Sequence, residues 1–172
     1  MNRAALFLDR DGVLNVDHGY VFQARDFDLI DGVLDALRAA ADRGYELIIV
    51  TNQSGIGRGY FSQADYDLLE VHMRGLFAAE GIPLAAIYHC PHHPNAGCAC
   101  RKPQPGMILQ AAHEHGIDLA SSILIGDKPS DADAGRAAKV GRIELVTAHR
   151  TIVDIVAELQ PARQGLSKKQ EI

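Results

Sequence analysis

Asp9 and Asp11 stand two residues apart in the stretch FLDRDGVLN (residues 7–15), directly behind a run of apolar residues. In extended chain, side chains two apart share a side, so both carboxylates lean together while Arg10 points away. Gly12 then lets the chain turn sharply. Two carboxylates this close repel each other, and a divalent cation relieves the repulsion. A metal-bound aspartate is a competent nucleophile toward phosphoryl groups, and its neighbour is placed to protonate the leaving oxygen. Alone, the pair could equally cap a turn.

Three more stretches carry complementary chemistry. VTNQSGIGRG (50–59) offers Thr51, Asn52, Gln53 and Ser54 in a glycine-rich turn, a set of neutral donors suited to phosphate oxygens. CRKPQPG (100–106) puts Arg101 and Lys102 before a proline-stiffened turn. Lysine is a compact charge for a transferring phosphoryl group, and arginine's planar fork grips a second oxyanion. LIGDKPSDADAG (124–135) contributes Asp127 to a three-carboxylate magnesium site, with Lys128 beside it and Asp131 as an orienting or helix-capping group.

All three cysteines of the chain fall in CPHHPNAGCAC (90–100). Cys90, His92, Cys98 and Cys100 form two short clasps joined by a compact loop. Three thiolates and one imidazole favour a tetrahedral Zn²⁺, and four protein ligands leave no open position, so the ion is expected to be structural. His93 is left over as a loop histidine. A redox role is disfavoured, because the C-x-C pair lacks C-x-x-C spacing.

The elements that must position these groups alternate. Strands are expected at 4–9, 46–55, 85–90, 121–127 and 142–146, and helices at 32–44, 62–81, 106–116 and 131–141. Such alternation predicts a parallel sheet covered on both faces, with ligands outside the carboxyl ends of its strands. His72, His113 and His115 fall on helices as surface residues. One unit over residues 1–160 is expected, with a fraying polar tail at 161–172. A net charge of -5 argues against nucleic-acid and anionic-membrane partners. The N-terminus has only five apolar residues before its charges, too few for a signal peptide, so a cytoplasmic location is expected.

The four stretches, each at an expected strand end, resemble the haloacid dehalogenase superfamily of aspartate-nucleophile phosphatases. Its members pair DxD with a Thr or Ser, a Lys and a further Asp; the matching positions are Asp9 and Asp11, Thr51, Lys102 and Asp127. The resemblance implies a Rossmann-like α/β three-layer sandwich without a large cap domain, catalytic Mg²⁺ and a phospho-aspartyl intermediate on Asp9. Asp11 would be the general acid/base, and Thr51 and Lys102 would stabilise the phosphoryl group. Asp9, Asp127 and the backbone carbonyl of Asp11 would hold the Mg²⁺.

In finer detail, DRDGVLNVDHGYV, IDGV, VTNQSGIGRG, CPHHP, CACRKPQPGM and IGDK look like the heptose bisphosphate phosphatases, over roughly residues 4–146. That likeness implies removal of the 7-phosphate from D-glycero-D-manno-heptose 1,7-bisphosphate, on the route to nucleotide-activated heptose for lipopolysaccharide and other surface polysaccharides. Asp17, His18, Gly19 and Tyr20 would meet the sugar. Asn52, Gln53 and Ser54 would join Thr51 around the scissile phosphate, and Arg101 and Lys128 would recognise the substrate. The short span between His92 and Cys98 is shared with the histidinol-phosphate phosphatases, which stand as the alternative. A catalytically silent, zinc-braced binding protein is the non-enzyme alternative. A monomer is expected.

Overall fold

The structure, a computed structural model, describes residues 3–162. All but the first two residues of the tail expected to fray at 161–172 therefore lie outside the described residues.

Strand β1 (Ala5–Leu8) is buried along its whole length. Its side chains alternate between two cores, Leu6 and Leu8 entering one and Ala5 and Phe7 the other. That is why the stretch reads as a continuous apolar run: both faces of the strand are covered. Strand β2 (Glu46–Asn52) divides in the same way, Leu47 and Ile49 against Ile48 and Val50. With β3 (Leu84–Cys90), β4 (Ile123–Gly126) and β5 (Arg142–Leu145) these form one parallel sheet in the order β3-β2-β1-β4-β5.

Helix α1 (Val33–Asp42) lays Val33, Ala36, Leu37 and Ala40 on the first face. A short helical turn, α2 (Ser54–Gly57), follows β2. Helix α3 (Gln63–Ala79) starts at a capping box, Ser62 Oγ accepting from the Asp65 N–H while the Asp65 carboxylate accepts from the Ser62 N–H. Its Leu69, Met73 and Phe77 join the first face, and α4 (Gly106–His115) and α5 (Pro129–Ala137) cover the other. Helix α6 (Ile152–Ala157) then packs Ile152, Ile155 and Val156 back onto the first core. The result is the expected three-layer sandwich.

The chain runs from β1 outward through β2 to β3, then returns to the opposite side of β1 for β4 and β5. The strand order therefore reverses between β1 and β4, and the crevice of a doubly wound sheet opens beyond the carboxyl ends of those two strands. Asp9 and Asp127 are the first residues past them, and the Asp9 N–H donates to the Ile125 carbonyl at 3.0 Å, locking the two ends together.

Three differences from the sequence reading have physical causes. Arg10 does not point away from the carboxylates; it is wholly buried and folded back on Asp11. Helix α5 begins at Pro129, ahead of the expected 131, because proline suits a first helical turn and Asp131 caps the N–H groups behind it. Helix α6 was not anticipated; six residues are too few to establish a helical period, and its stability comes from docking.

Candidate active site

Lys102 sits at the centre of the crevice. Its ammonium lies 2.7 Å from Asp9 Oδ1, 2.6 Å from Asp131 Oδ1 and 2.8 Å from the Val50 carbonyl oxygen, with almost no exposure. Burial works against this charge, but the two carboxylates outweigh it and hold the Lys102 pKa above the ordinary lysine value. The Asp9 carboxyl moves up to about 7, first because it is buried; Lys102 pulls it down and the Asp131 charge pushes it further up. Asp127 is also raised, again first by burial.

One ammonium thus faces three carboxylates, an excess of negative charge in a low-dielectric place. Oxygens of Asp9, Asp127 and Asp131 all lie within 4.8 Å of one another. Asp131 is already committed, with Oδ1 on Lys102 and Oδ2 accepting from the N–H groups of Asp127 and Lys128. Asp127 Oδ1, by contrast, is buried without a hydrogen-bond partner. Gly12 keeps the space open: its φ is +85°, and a Cβ there would lie 2.5 Å from Asp127 Oδ2. Hard oxygen donors, an orphaned carboxylate oxygen and uncompensated charge fit a divalent cation of the magnesium type.

Asp11 faces elsewhere. Arg10 donates from Nη2 to both of its oxygens at 2.9 Å and also to the Val21 carbonyl at 2.6 Å. Asn15 Nδ2 donates to Oδ1 at 3.0 Å, and Gln53 Nε2 to Oδ2 at 3.2 Å. The same Gln53 amide also donates to Thr51 Oγ1 at 2.9 Å. Asn52 is turned toward backbone: it accepts from the Lys102 N–H at 3.0 Å and donates to the Lys102 carbonyl at 3.1 Å. Two antiparallel bonds of this kind fix the height at which Lys102 enters the crevice.

A cavity of about 560 Å³ opens above this centre. Asp11, Asp17, Gly19, Tyr20, Asn52, Gln53, Ser54, Arg101, Lys102 and Lys128 line it, with Pro103 and Ser130. Asp9 and Thr51 lie buried beneath. Lys128 Nζ is 3.5 Å from Asp17 Oδ2 and 3.7 Å from Asp127 Oδ2, joining the rim to the floor. Arg101 Nη1 is buried with no partner. His18 is not brought into the cavity; its Nε2 lies 2.7 Å from Asp28 Oδ2 instead. Arg10 and the ion-pairing role of Asp131 escaped the sequence reading. Nothing local marks an arginine between two aspartates as buried, whereas Asp131 stood out as an orienting or capping group with no partner named.

Beside the cavity, Cys90, His92, Cys98 and Cys100 converge. Cys90 Sγ is 3.6 Å from Cys98 Sγ and 3.2 Å from Cys100 Sγ, and His92 Nδ1 is 3.5 and 3.2 Å from the sulfurs of Cys90 and Cys100. Zn–S bonds of about 2.3 Å in a tetrahedron put ligand atoms roughly 3.5–3.8 Å apart, so the four donors nearly frame a zinc ion. His93 stands outside the group, its Nδ1 accepting from the Asn95 N–H.

A parallel sheet with its switch point at a buried Asp–Lys–Asp centre defines the haloacid dehalogenase class of phosphatases. The pattern of the Polynucleotide kinase 3 phosphatase family matches residues 6–154. The D-glycero-alpha-D-manno-heptose-1,7-bisphosphate 7-phosphatase of Burkholderia mallei is 49% identical over 153 residues, covering 85% of this chain and 81% of the relative. The D-glycero-beta-D-manno-heptose-1,7-bisphosphate 7-phosphatase of Photorhabdus laumondii is 43% identical, covering 95% and 97%. Among solved structures, D,D-heptose 1.7-bisphosphate phosphatase from B. bronchiseptica, complexed with magnesium and phosphate, superposes with a TM-score of 0.78 at 29% identity, covering 90% of this chain and 97% of that one. The chain belongs to the Polynucleotide kinase 3 phosphatase family and, within it, to the D-glycero-D-manno-heptose-1,7-bisphosphate 7-phosphatases.

Proposed function

We propose that this protein is a phosphoric monoester hydrolase that removes the 7-phosphate of D-glycero-D-manno-heptose 1,7-bisphosphate. The observation that carries the reading is the buried Lys102–Asp9 pair beside the orphaned oxygen of Asp127, beneath a polar cavity. Named relatives act on that sugar, and their identity to this chain extends over most of its length.

Asp9 is the nucleophile. Its oxygen not held by Lys102 attacks the phosphorus, the bond from phosphorus to the sugar C7 oxygen breaks, and Asp11 gives that oxygen a proton. Asp11 then takes a proton from the water that attacks the phospho-aspartate, which releases phosphate and restores Asp9. Lys102 and the Thr51 hydroxyl balance the charge on the phosphoryl oxygens. Arg101 and Lys128 bind the phosphate that stays, while Asp17, Gly19 and Tyr20 meet the sugar and Asn52, Gln53 and Ser54 shape the phosphate cradle. A magnesium ion on Asp9, Asp127 and the Asp11 backbone carbonyl would neutralise these carboxylates and orient the phosphate when bound. Zn²⁺ on Cys90, His92, Cys98 and Cys100 would brace the loop running into Arg101 and Lys102. The protein acts as a cytoplasmic monomer built as one unit over residues 1–160. No helix among the described residues is long and apolar enough to cross a membrane.

Phosphate release in Mg²⁺ tests the reading, measured on both anomers of the heptose bisphosphate with histidinol phosphate, fructose 1,6-bisphosphate and a 3′-phosphorylated oligonucleotide alongside. The heptose should give the highest kcat/KM. A preference for histidinol phosphate or the oligonucleotide would overturn the assignment.

A further inference from the structure

Two loops meet at the rim of the cavity through a pair of aromatic contacts. Tyr20, from the segment after Asp17, stands edge-on to Tyr60 with ring centroids 4.8 Å apart and planes at 85°. Two residues after Tyr20 and one after Tyr60, Phe22 stacks on Phe61, 4.8 Å apart and nearly parallel at 5°. Phe61 is buried, and a Cβ on Gly55 would lie 2.1 Å from its ring, so α2 is shaped around it. The inner stack therefore anchors the 60–61 segment to the phosphate cradle, and the outer pair projects from that anchor.

The outer pair is unusual in two ways. Tyr20 and Tyr60 are 48% and 57% exposed, large rings left in water where neither is needed for the core. Tyr20 also has a φ of +51°, a left-handed conformation that a bulky side chain rarely adopts. Strain of this kind persists where surrounding structure imposes it, and it concentrates at ligand-binding positions. Tyr20 lines the cavity and Tyr60 does not, while the two rings are in contact. A flat ring presents a surface on which the C–H face of a pyranose can rest, provided the ring is held still.

We infer that Tyr60 is a positioning residue for substrate choice: it holds Tyr20 as an aromatic wall against the sugar, and the Phe22–Phe61 stack anchors both. The inference rests on the phosphosugar reading above. The wall acts on the part of the substrate remote from the reacting phosphorus. Losing it should weaken binding of the sugar in ground state and transition state alike, leaving chemistry at Asp9 intact.

The experiment is steady-state kinetics of wild type, Tyr60→Ala, Tyr60→Leu and Tyr60→Phe on the heptose bisphosphate and on glycerol phosphate, which lacks a sugar ring. Tyr60→Ala should raise KM for the heptose about tenfold with kcat nearly unchanged, the signature of lost uniform binding. Its kcat/KM for glycerol phosphate should stay at the wild-type value. Tyr60→Leu, which keeps bulk without the aromatic ring, should behave like Tyr60→Ala, and Tyr60→Phe should restore the wild-type KM. An unchanged KM in Tyr60→Ala, an equal loss on both substrates, or no rescue by phenylalanine would each sink the wall. Wild type inert toward the heptose would sink the substrate reading instead, and the same KM comparison would then be made on whichever phosphosugar it hydrolyses.

Discussion

Two clusters of metal-type ligands flank Lys102, and they are assembled in opposite ways. The Cys/His knot draws its four donors from eleven consecutive residues, 90–100, running from the buried end of β3 into a partly exposed loop. The carboxylate centre draws Asp9, Asp127 and Asp131 from opposite ends of the chain and buries two of them. The knot owes its shape to spacing, and the centre owes its shape to the sheet. Register between β1 and β4 is what brings Asp9 beside Asp127. Lys102 belongs to both: it follows Cys100 by two residues and ends in the carboxylates. The difference teaches that a cluster set by local spacing and a charge cluster set by the sheet meet at one side chain, Lys102.

Four experiments would break or sharpen that contrast. The largest effect is expected from Asp9→Asn, which should cut turnover at least about 10⁴-fold by removing the nucleophile. Its melting temperature should not fall, because one member of a mutually repelling carboxylate set is gone. Turnover within tenfold of wild type would place the chemistry elsewhere.

Lys102→Met should come next. It leaves Asp9 and Asp131 buried with no counter-charge, a break that costs about 3–5 kcal/mol in chemical unfolding. Turnover should drop roughly 10³-fold as well, through lost stabilisation of the phosphoryl charge. A variant that kept wild-type stability would show that the two carboxylates had found another partner.

Stripping the knot with a strong chelator, then restoring Mg²⁺, should lower kcat by about tenfold, the scale of a positioning effect. It should also lower the melting temperature, since metal bound only by the folded loop stabilises it. If rate and melting temperature both survived, the knot would brace nothing.

Asn52→Ala is the mildest test. It removes both hydrogen bonds to the Lys102 backbone, about 1–3 kcal/mol in total, with the loop still tied by the knot. A modest loss in kcat that grows on chelation would show the two supports sharing one load. Strictly independent effects would separate them.

The sequence made much of this legible, for particular reasons. Asp9, Asp127 and Thr51 could be placed because each follows a short apolar run, and strand ends in a parallel sheet point at ligands. The knot was legible because its spacing is its geometry. Asn52 was expected at the phosphate; it lines the cavity and also bonds to the Lys102 backbone, a contact between residues fifty apart that no local pattern encodes. His18 was expected at the sugar and pairs with Asp28, a partner supplied by the return of the chain at 27–30. Arg10 was expected to point away from the two carboxylates, because alternation assumes the strand continues. The chain turns at Gly12 instead and folds the arginine inward over Asp11.

By itself, then, the amino-acid order determined which chemistry was available: alternating strands and helices, donors at the strand ends and a closed sulfur–nitrogen ligand set. Those properties are written in spacing and side-chain type, which need no partner from elsewhere in the chain. Only the tertiary structure decided how the charges balance. Lys102 bonds to Asp9 and Asp131, Asp127 keeps an oxygen free, Arg10 restrains Asp11, and Tyr60 stands against Tyr20. Each of these is a contact between distant segments, and its strength depends on burial, which exists only once the sheet has closed over it.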